Sequence, residues 1–191
     1  MEVWLKKMDR SGLRELYPTM KKDFPPAELK PLSKLEKLMR QGCYHGWFLM
    51  EDEARRGYAL VQATPGCPYV LLDYLAMFSG RRGDGYGSKT LELLKQQYPS
   101  GVLAEAEAEL PGQEEEKNAV RRRRIAFYQK NGFIPCPFEN SVFGVKYLVH
   151  LWTPEPVDDP SRKAARALLA HYRHHLPPVI CRACVKIPGG E

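Results

Sequence analysis

Residues 73–94 read DYLAMFSGRRGDGYGSKTLELL. An apolar, aromatic run that begins at residue 69 ends here, and Gly80, Gly83, Gly85 and Gly87 then lead into a leucine-bearing segment with Leu91, Leu93 and Leu94 at helical spacing. The pattern predicts a strand over 69–77, a glycine-rich turn and a helix over 85–97. Glycines let the backbone approach a ligand closely and take positive φ, and the unpaired amides at a helix start attract anions with help from the helix dipole. Arg81, Arg82 and Lys89 add positive charge, so the turn suits a pyrophosphate. The competing reading of so short a pattern is a plain strand-to-helix connection. A Walker loop would need Gly-Lys-Ser/Thr, whereas Gly87-Ser88-Lys89 has another order. A Rossmann fingerprint needs a different glycine spacing and a parallel βαβ unit.

Upstream, residues 2–8 read as a first strand. Ser11 is positioned to cap a helix over 12–22, which Phe24-Pro25-Pro26 interrupts because proline removes a donor and restricts its predecessor. Ser33 and Glu36 have the spacing of a capping box, and Gly42 closes that second helix. Segments 46–50, 57–63 and 69–77, separated by the charged residues 51–56 and by Thr64-Pro65-Gly66-Cys67-Pro68, predict an antiparallel meander.

Downstream, a strand is expected over 102–108, a helix over 118–130 ending at Asn131-Gly132, and two strands over 133–145 and 146–152, interrupted at 138–141. Thr153-Pro154-Glu155-Pro156 marks a boundary. Beyond it come a helix over 160–175 and a short strand within 177–187. The expected fold class is α/β (α+β), a mixed, mostly antiparallel sheet with helices on both faces. Residues 1–152 form the main domain, and 153–191 a C-terminal extension packed on it.

The chain has 191 residues, enough for one domain with its own core, and its 43% hydrophobic and 27% charged content is that of a globular protein. No apolar run is long enough to span a bilayer, and the first ten residues lack a secretory apolar core, so the expectation is a cytoplasmic protein with no membrane partner. Five cysteines, an odd number and widely scattered except for Cys181 and Cys184, fit a reducing compartment. The net charge of +6 suits an anionic cofactor as well as a nucleic acid. Arg121 to Arg124 are consecutive and spread around a helix instead of forming a stripe, and Glu114, Glu115 and Glu116 offset them, so no nucleic-acid partner is expected.

Two motifs together resemble one family. Arg82-Gly83-Asp84-Gly85-Tyr86-Gly87 is similar to the Arg/Gln-x-x-Gly-x-Gly/Ala signature of the GNAT superfamily of acyl-CoA-dependent N-acyltransferases. Ala126-Phe127-Tyr128-Gln129-Lys130-Asn131-Gly132-Phe133 resembles that family's Ala-x-x-Tyr-x-x-x-Gly-Phe block, in the expected order, and the predicted elements from residue 2 to 152 fit the fold. The resemblance implies a sheet splayed between two parallel strands, 69–77 and 102–108, with acetyl-CoA as acyl donor. Backbone groups of Ala76 and Met77 would hold the pantetheine arm. Amides of Arg82, Gly83, Asp84, Gly85, Tyr86, Gly87 and Ser88 would hold the pyrophosphate.

Direct attack of an amine on a thioester needs a base, a carbonyl donor and an acid for the thiolate. Tyr128 occupies the position of the family's acid. Glu105 and Glu107 alternate with alanines and so share one strand face; Glu105 is the first candidate base and Asp73 the second, with Glu107 binding the cationic acceptor. Phe24 and Glu28, between the first two helices, are candidate walls of the acceptor pocket. The acceptor is expected to be a small-molecule or peptide amine, and the protein a monomer or homodimer. His171, His174, His175, Cys181 and Cys184 have ligand-like spacings but sit in one group on a surface-like tail, and the family needs no zinc, so no metal is expected. A non-catalytic acyl-CoA-binding or protein-interaction domain of the same fold is the alternative.

Overall fold

The computed structural model describes residues 2–78 and 84–188. Among them are β1 (Val3–Met8), α1 (Arg10–Asp23), α2 (Leu32–Arg40), β2 (Tyr44–Glu51), β3 (Ala54–Gln62), β4 (Val70–Met77), α3 (Tyr86–Gln97), β5 (Val102–Glu107), α4 (Glu115–Lys130), β6 (Ile134–Val142), β7 (Val145–Trp152), α5 (Pro160–His175), α6 (Pro178–Cys184) and β8 (Val185–Lys186). The strand order is β1-β2-β3-β4-β5-β7-β6-β8, in a mixed, mostly antiparallel sheet with one parallel pair. The α/β class expected from the sequence is therefore the observed one. The chain divides into two compact units, residues 1–65 with 72–94, and residues 66–71 with 95–191.

In the first unit the meander pairs Tyr44 with Gln62 and Trp47 with Ala59, and β1 adds on the outside with Val3 opposite Glu51. Leu13, Leu16 and Met20 of α1 and Leu35 and Leu38 of α2 bury against Phe48, Tyr58, Leu60 and Tyr74 of the strands. Two expected caps are corrected. Asp9, not Ser11, caps α1, its Oδ1 accepting the Gly12 amide at 2.7 Å, so the helix begins at Arg10. The Ser33–Glu36 box does not form: α2 starts at Leu32 behind Pro31, whose fixed φ presets the turn and whose carbonyl takes the Leu35 amide, and Glu36 instead receives Arg14. Of the charged run 51–56 only Asp52 and Glu53 form the hairpin turn, Asp52 at φ 51°.

In the second unit β7 pairs with β5 (Glu105 opposite Val149) and with β6 (Asn140 opposite Tyr147). Helix α5, capped by Asp159, lays Ala164, Ala167 and Leu168 on Leu103, Val149 and Leu151. The interruption expected at 138–141 is a bulge between Cys136 and Glu139 beside Pro137, which has no ladder donor; the true turn is Phe143-Gly144. The strand expected within 177–187 is mostly helix, since Pro177 and Pro178 stand at the N-cap and first helical position, and only Val185–Lys186 pairs, with β6.

Candidate functional site

Three of the sequence-predicted residues, Asp73, Phe24 and Glu28, come together in the first unit. Asp73, on β4, receives the Lys30 ammonium at 2.6 Å and the Tyr44 hydroxyl. Its neighbour Tyr74 donates to the Glu28 carbonyl at 2.8 Å, accepts the Lys30 amide at 2.9 Å, and meets the Phe24 ring edge-on with centroids 4.9 Å apart. Phe24 and Glu28 thus belong to a connection bolted onto β4 beside Asp73, and Tyr17 adds a bond to the Lys30 carbonyl. Burial, then the Asp73 charge, pushes the Tyr44 and Tyr74 phenols above their ordinary value. These hydroxyls stay neutral donors. Lys30, Tyr44 and Tyr74 were not predicted, because their partners lie distant in sequence.

The glycine-rich turn is described from Asp84 on; Arg82 and Gly83 lie outside the described residues. Gly85 has φ 82°, a conformation that favours glycine. Among the described residues the first backbone bond of α3 runs from the Lys89 amide to the Gly85 carbonyl at 3.0 Å. Tyr86 turns its hydroxyl to buried Glu51 at 2.7 Å, and Arg56 pairs with the same carboxylate oxygen at 2.8 Å. At the other end of the turn, a Cβ at Gly57 would lie 2.5 Å from Met77 Cε and 2.7 Å from the Ala76 carbonyl oxygen. Glycine at 57 is what lets Ala76 and Met77 come this close to β3.

The second unit holds Tyr128, Glu105 and Glu107. Tyr128 is 6% exposed near the end of α4, its ring packed against Phe127, Phe133 and His150. Burial pushes the phenol up to about 12, with Arg124 opposing and Glu105 adding to the shift. Its hydroxyl makes no hydrogen bond among the described residues. Glu105 accepts the Tyr172 hydroxyl at 2.7 Å and the Asn140 amide. Glu107 takes Arg121 in two contacts of 3.0 Å.

The two glutamates, expected on one strand face, alternate along β5 on either side of Ala106, and each is held by a different helix. Tyr172 belongs to α5 and Arg121 to α4. Register separates Glu105 from Tyr128 as well. Val149 stands opposite Glu105 and His150 opposite Ala104, and the Tyr128 ring lies on His150, so Tyr128 and Glu105 approach the β5–β7 ladder from opposite faces. Asn140 and Tyr172 carried no local signal. His150 did: it is a polar residue among the buried positions Val149, His150 and Leu151 of β7.

In the tail, His171 Nε2 lies 2.9 Å from the Tyr69 carbonyl and 3.7 Å from Cys67, and His175 stacks edge-on with His174. Among the described residues no group of three or more His, Cys, Asp or Glu side chains is placed to hold a metal ion, and all five cysteines are unbridged. No described helix is long and apolar enough to cross a membrane.

No protein-family model matches the chain, and no curated protein does. Solved structures do. A GNAT-family acetyltransferase structure from Bacteroides thetaiotaomicron superposes with a TM-score of 0.72 at 19% identity, over 90% of this chain and 97% of that one. The ribosomal-protein-S18-alanine N-acetyltransferase of Escherichia coli gives 0.57 at 14% identity, over 83% and 98%. The spermidine N-acetyltransferase of Vibrio cholerae, in complex with CoA and spermine, gives 0.58 at 8% identity, over 78% and 94%. The chain has the fold of the GNAT acetyltransferases.

Proposed function

We propose that the protein is an acetyl-CoA-dependent N-acetyltransferase that acetylates a primary amine of a small molecule or peptide by direct attack. The observation that carries this reading is Tyr128: a buried phenol, kept neutral, whose hydroxyl has no partner among the described residues, in a chain with this fold. A neutral phenol with an uncommitted donor suits protonation of a departing thiolate. Arg82, Gly83 and the amides of Asp84, Gly85, Tyr86, Gly87 and Ser88 are the proposed pyrophosphate cradle, supported by the positive φ of Gly85 and the helix start behind it. Ala76 and Met77 are the proposed holders of the pantetheine arm.

Glu105 is the proposed base and Asp73 the second candidate. Phe24, Glu28 and Glu107 are proposed for acceptor binding, and residues 1–152 are proposed as the catalytic domain with 153–191 as its extension. The structural neighbours that act on spermidine and on a ribosomal protein's alanine support an amine acceptor without choosing between the two sorts.

A second reading, a non-catalytic acyl-CoA-binding domain, has an observation in its favour. Asp73, Glu105 and Glu107 are each engaged by protein partners. Thiol release from acetyl-CoA across a panel of polyamines and peptide amines separates the readings. The enzyme reading expects turnover that Tyr128→Phe lowers by about 10²–10⁴-fold with CoA affinity retained. Tight CoA binding without turnover on any amine would select the second reading, and unchanged turnover in Tyr128→Phe would remove Tyr128 from the acid role.

A further inference from the structure

One interior side chain is unused by the reaction outlined above. His150 is 0% exposed, and among the described residues neither of its ring nitrogens has a hydrogen-bond partner. Buried polar groups are nearly always satisfied, by protein or by trapped water, because an unpaired one loses its hydration without return. The residues opposite His150, Ala104 on β5 and Pro135 on β6, carry no polar side chain. From α4 comes the Tyr128 ring, centroids 5.6 Å apart and planes tilted by 34°. That ring carries a hydroxyl, and among the described residues it too makes no hydrogen bond. A buried imidazole with neither nitrogen satisfied, stacked on a phenol with an uncommitted hydroxyl, points to a solvent molecule shared between them.

We propose that His150 is a positioning residue for Tyr128, holding a buried water that donates one hydrogen bond to an imidazole nitrogen and the other to the phenol oxygen. With its oxygen lone pair occupied, the phenol is left to aim its proton outward at the leaving sulfur. The proposal rests on Tyr128 being the acid. As the carbon–sulfur bond breaks, the phenolic proton passes to sulfur and the water-held phenolate remains. The proton released from the acceptor nitrogen on amide formation restores the phenol. His150 neither gains nor loses a proton over the cycle. Burial holds the imidazole below its ordinary value, and the Leu148 carbonyl opposes this without reaching hydrogen-bond geometry, so the neutral ring that the arrangement needs is the resting form. The charged groups acting on the pair are Arg124 of α4 and Glu105 of β5, both through Tyr128.

The test reads the pair from both sides. Histidine side-chain NMR follows the His150 titration in the natural protein and in Tyr128→Phe, which removes only the hydroxyl. An imidazolium needs an acceptor at the end of its water chain, so the His150 midpoint is expected to fall in Tyr128→Phe. An unmoved midpoint overturns the proposal. In kinetics, His150→Phe is expected to lower kcat roughly tenfold, part of the about 10²–10⁴-fold that a general acid supplies, with CoA affinity unchanged. His150→Asn, which keeps a polar group in the space, is expected to recover part of the loss, and equal kcat in the natural protein and folded His150→Phe also overturns the proposal. If His150→Phe does not fold, the titration alone decides. If the natural protein turns over no amine, the enzyme reading fails, and the titration still judges the pairing.

Discussion

Tyr172 of α5 donates its hydroxyl to Glu105 Oε2 at 2.7 Å, fastening the last long helix to β5 at the first candidate base. A hydrogen bond to a charged acceptor contributes about 1.5–3 kcal/mol when partly buried. Tyr172→Phe is expected to lower unfolding free energy in urea by about 1–2 kcal/mol. If Glu105 receives the ammonium proton, the same substitution changes acceptor KM or kcat while CoA affinity holds; a variant with lowered stability and unaltered kinetics would confine Tyr172 to a structural role.

Lys30 and Asp73 form a contact of 2.6 Å with side chains 24% and 15% exposed, so their charges are only partly screened. Removing one leaves the other without its counter-charge. Lys30→Met is expected to cost about 1–2 kcal/mol. Combining it with Asp73→Asn should cost less than the sum of the single changes, and strict additivity in a double-mutant cycle would show that the pair is not coupled.

His150 also makes stability depend on pH. Its folded value is depressed by burial below the unfolded one, so the unfolded chain binds the proton more readily between the two. Stability is therefore complete above about pH 6.5 and declines as pH falls below it. Melting temperature should drop between pH 7 and 5.5, before most carboxylates titrate, and less steeply in His150→Phe. Parallel slopes in the two proteins would contradict this assignment. His45, whose pKa burial also lowers, contributes in the same direction and sets a residual slope.

Gly57 is held glycine by space. A methyl there meets Met77 Cε at 2.5 Å and the Ala76 carbonyl oxygen at 2.7 Å. Gly57→Ala should cost about 1–3 kcal/mol and displace the end of β4. If Ala76 and Met77 carry the pantetheine arm, CoA affinity falls with it, measured by calorimetry on the folded variant. Affinity equal to that of the natural protein would take those two residues out of the arm's path.

Most elements were legible because their signals are local. Periodicity placed α3, β4 and α5 within a residue or so, since alternation and helical spacing report on neighbours along the chain. The errors arose where two local signals competed. Asp9 and Ser11 are both capping residues, and only the observed start at Arg10 chooses Asp9. The residues between 177 and 187 were apolar enough for a strand, yet the paired prolines begin a helix. The interruption expected at 138–141 is absorbed as a bulge between Cys136 and Glu139 instead of a turn.

The sequence by itself determined the order of elements from β1 through α5, the glycine-rich turn before α3, and the place of Tyr128 ahead of Asn131-Gly132, because each is a matter of residues near one another in the chain. Tertiary structure alone decided the company each carboxylate keeps. Asp73 meets Lys30 across 43 positions and Glu105 meets Tyr172 across 67. It also decided that Glu105 and Tyr128 approach the ladder from opposite faces, since β7 must pair before His150 can stand opposite Ala104. Partners of that kind are chosen by strand register and helix docking, which emerge only when the apolar faces close on one another.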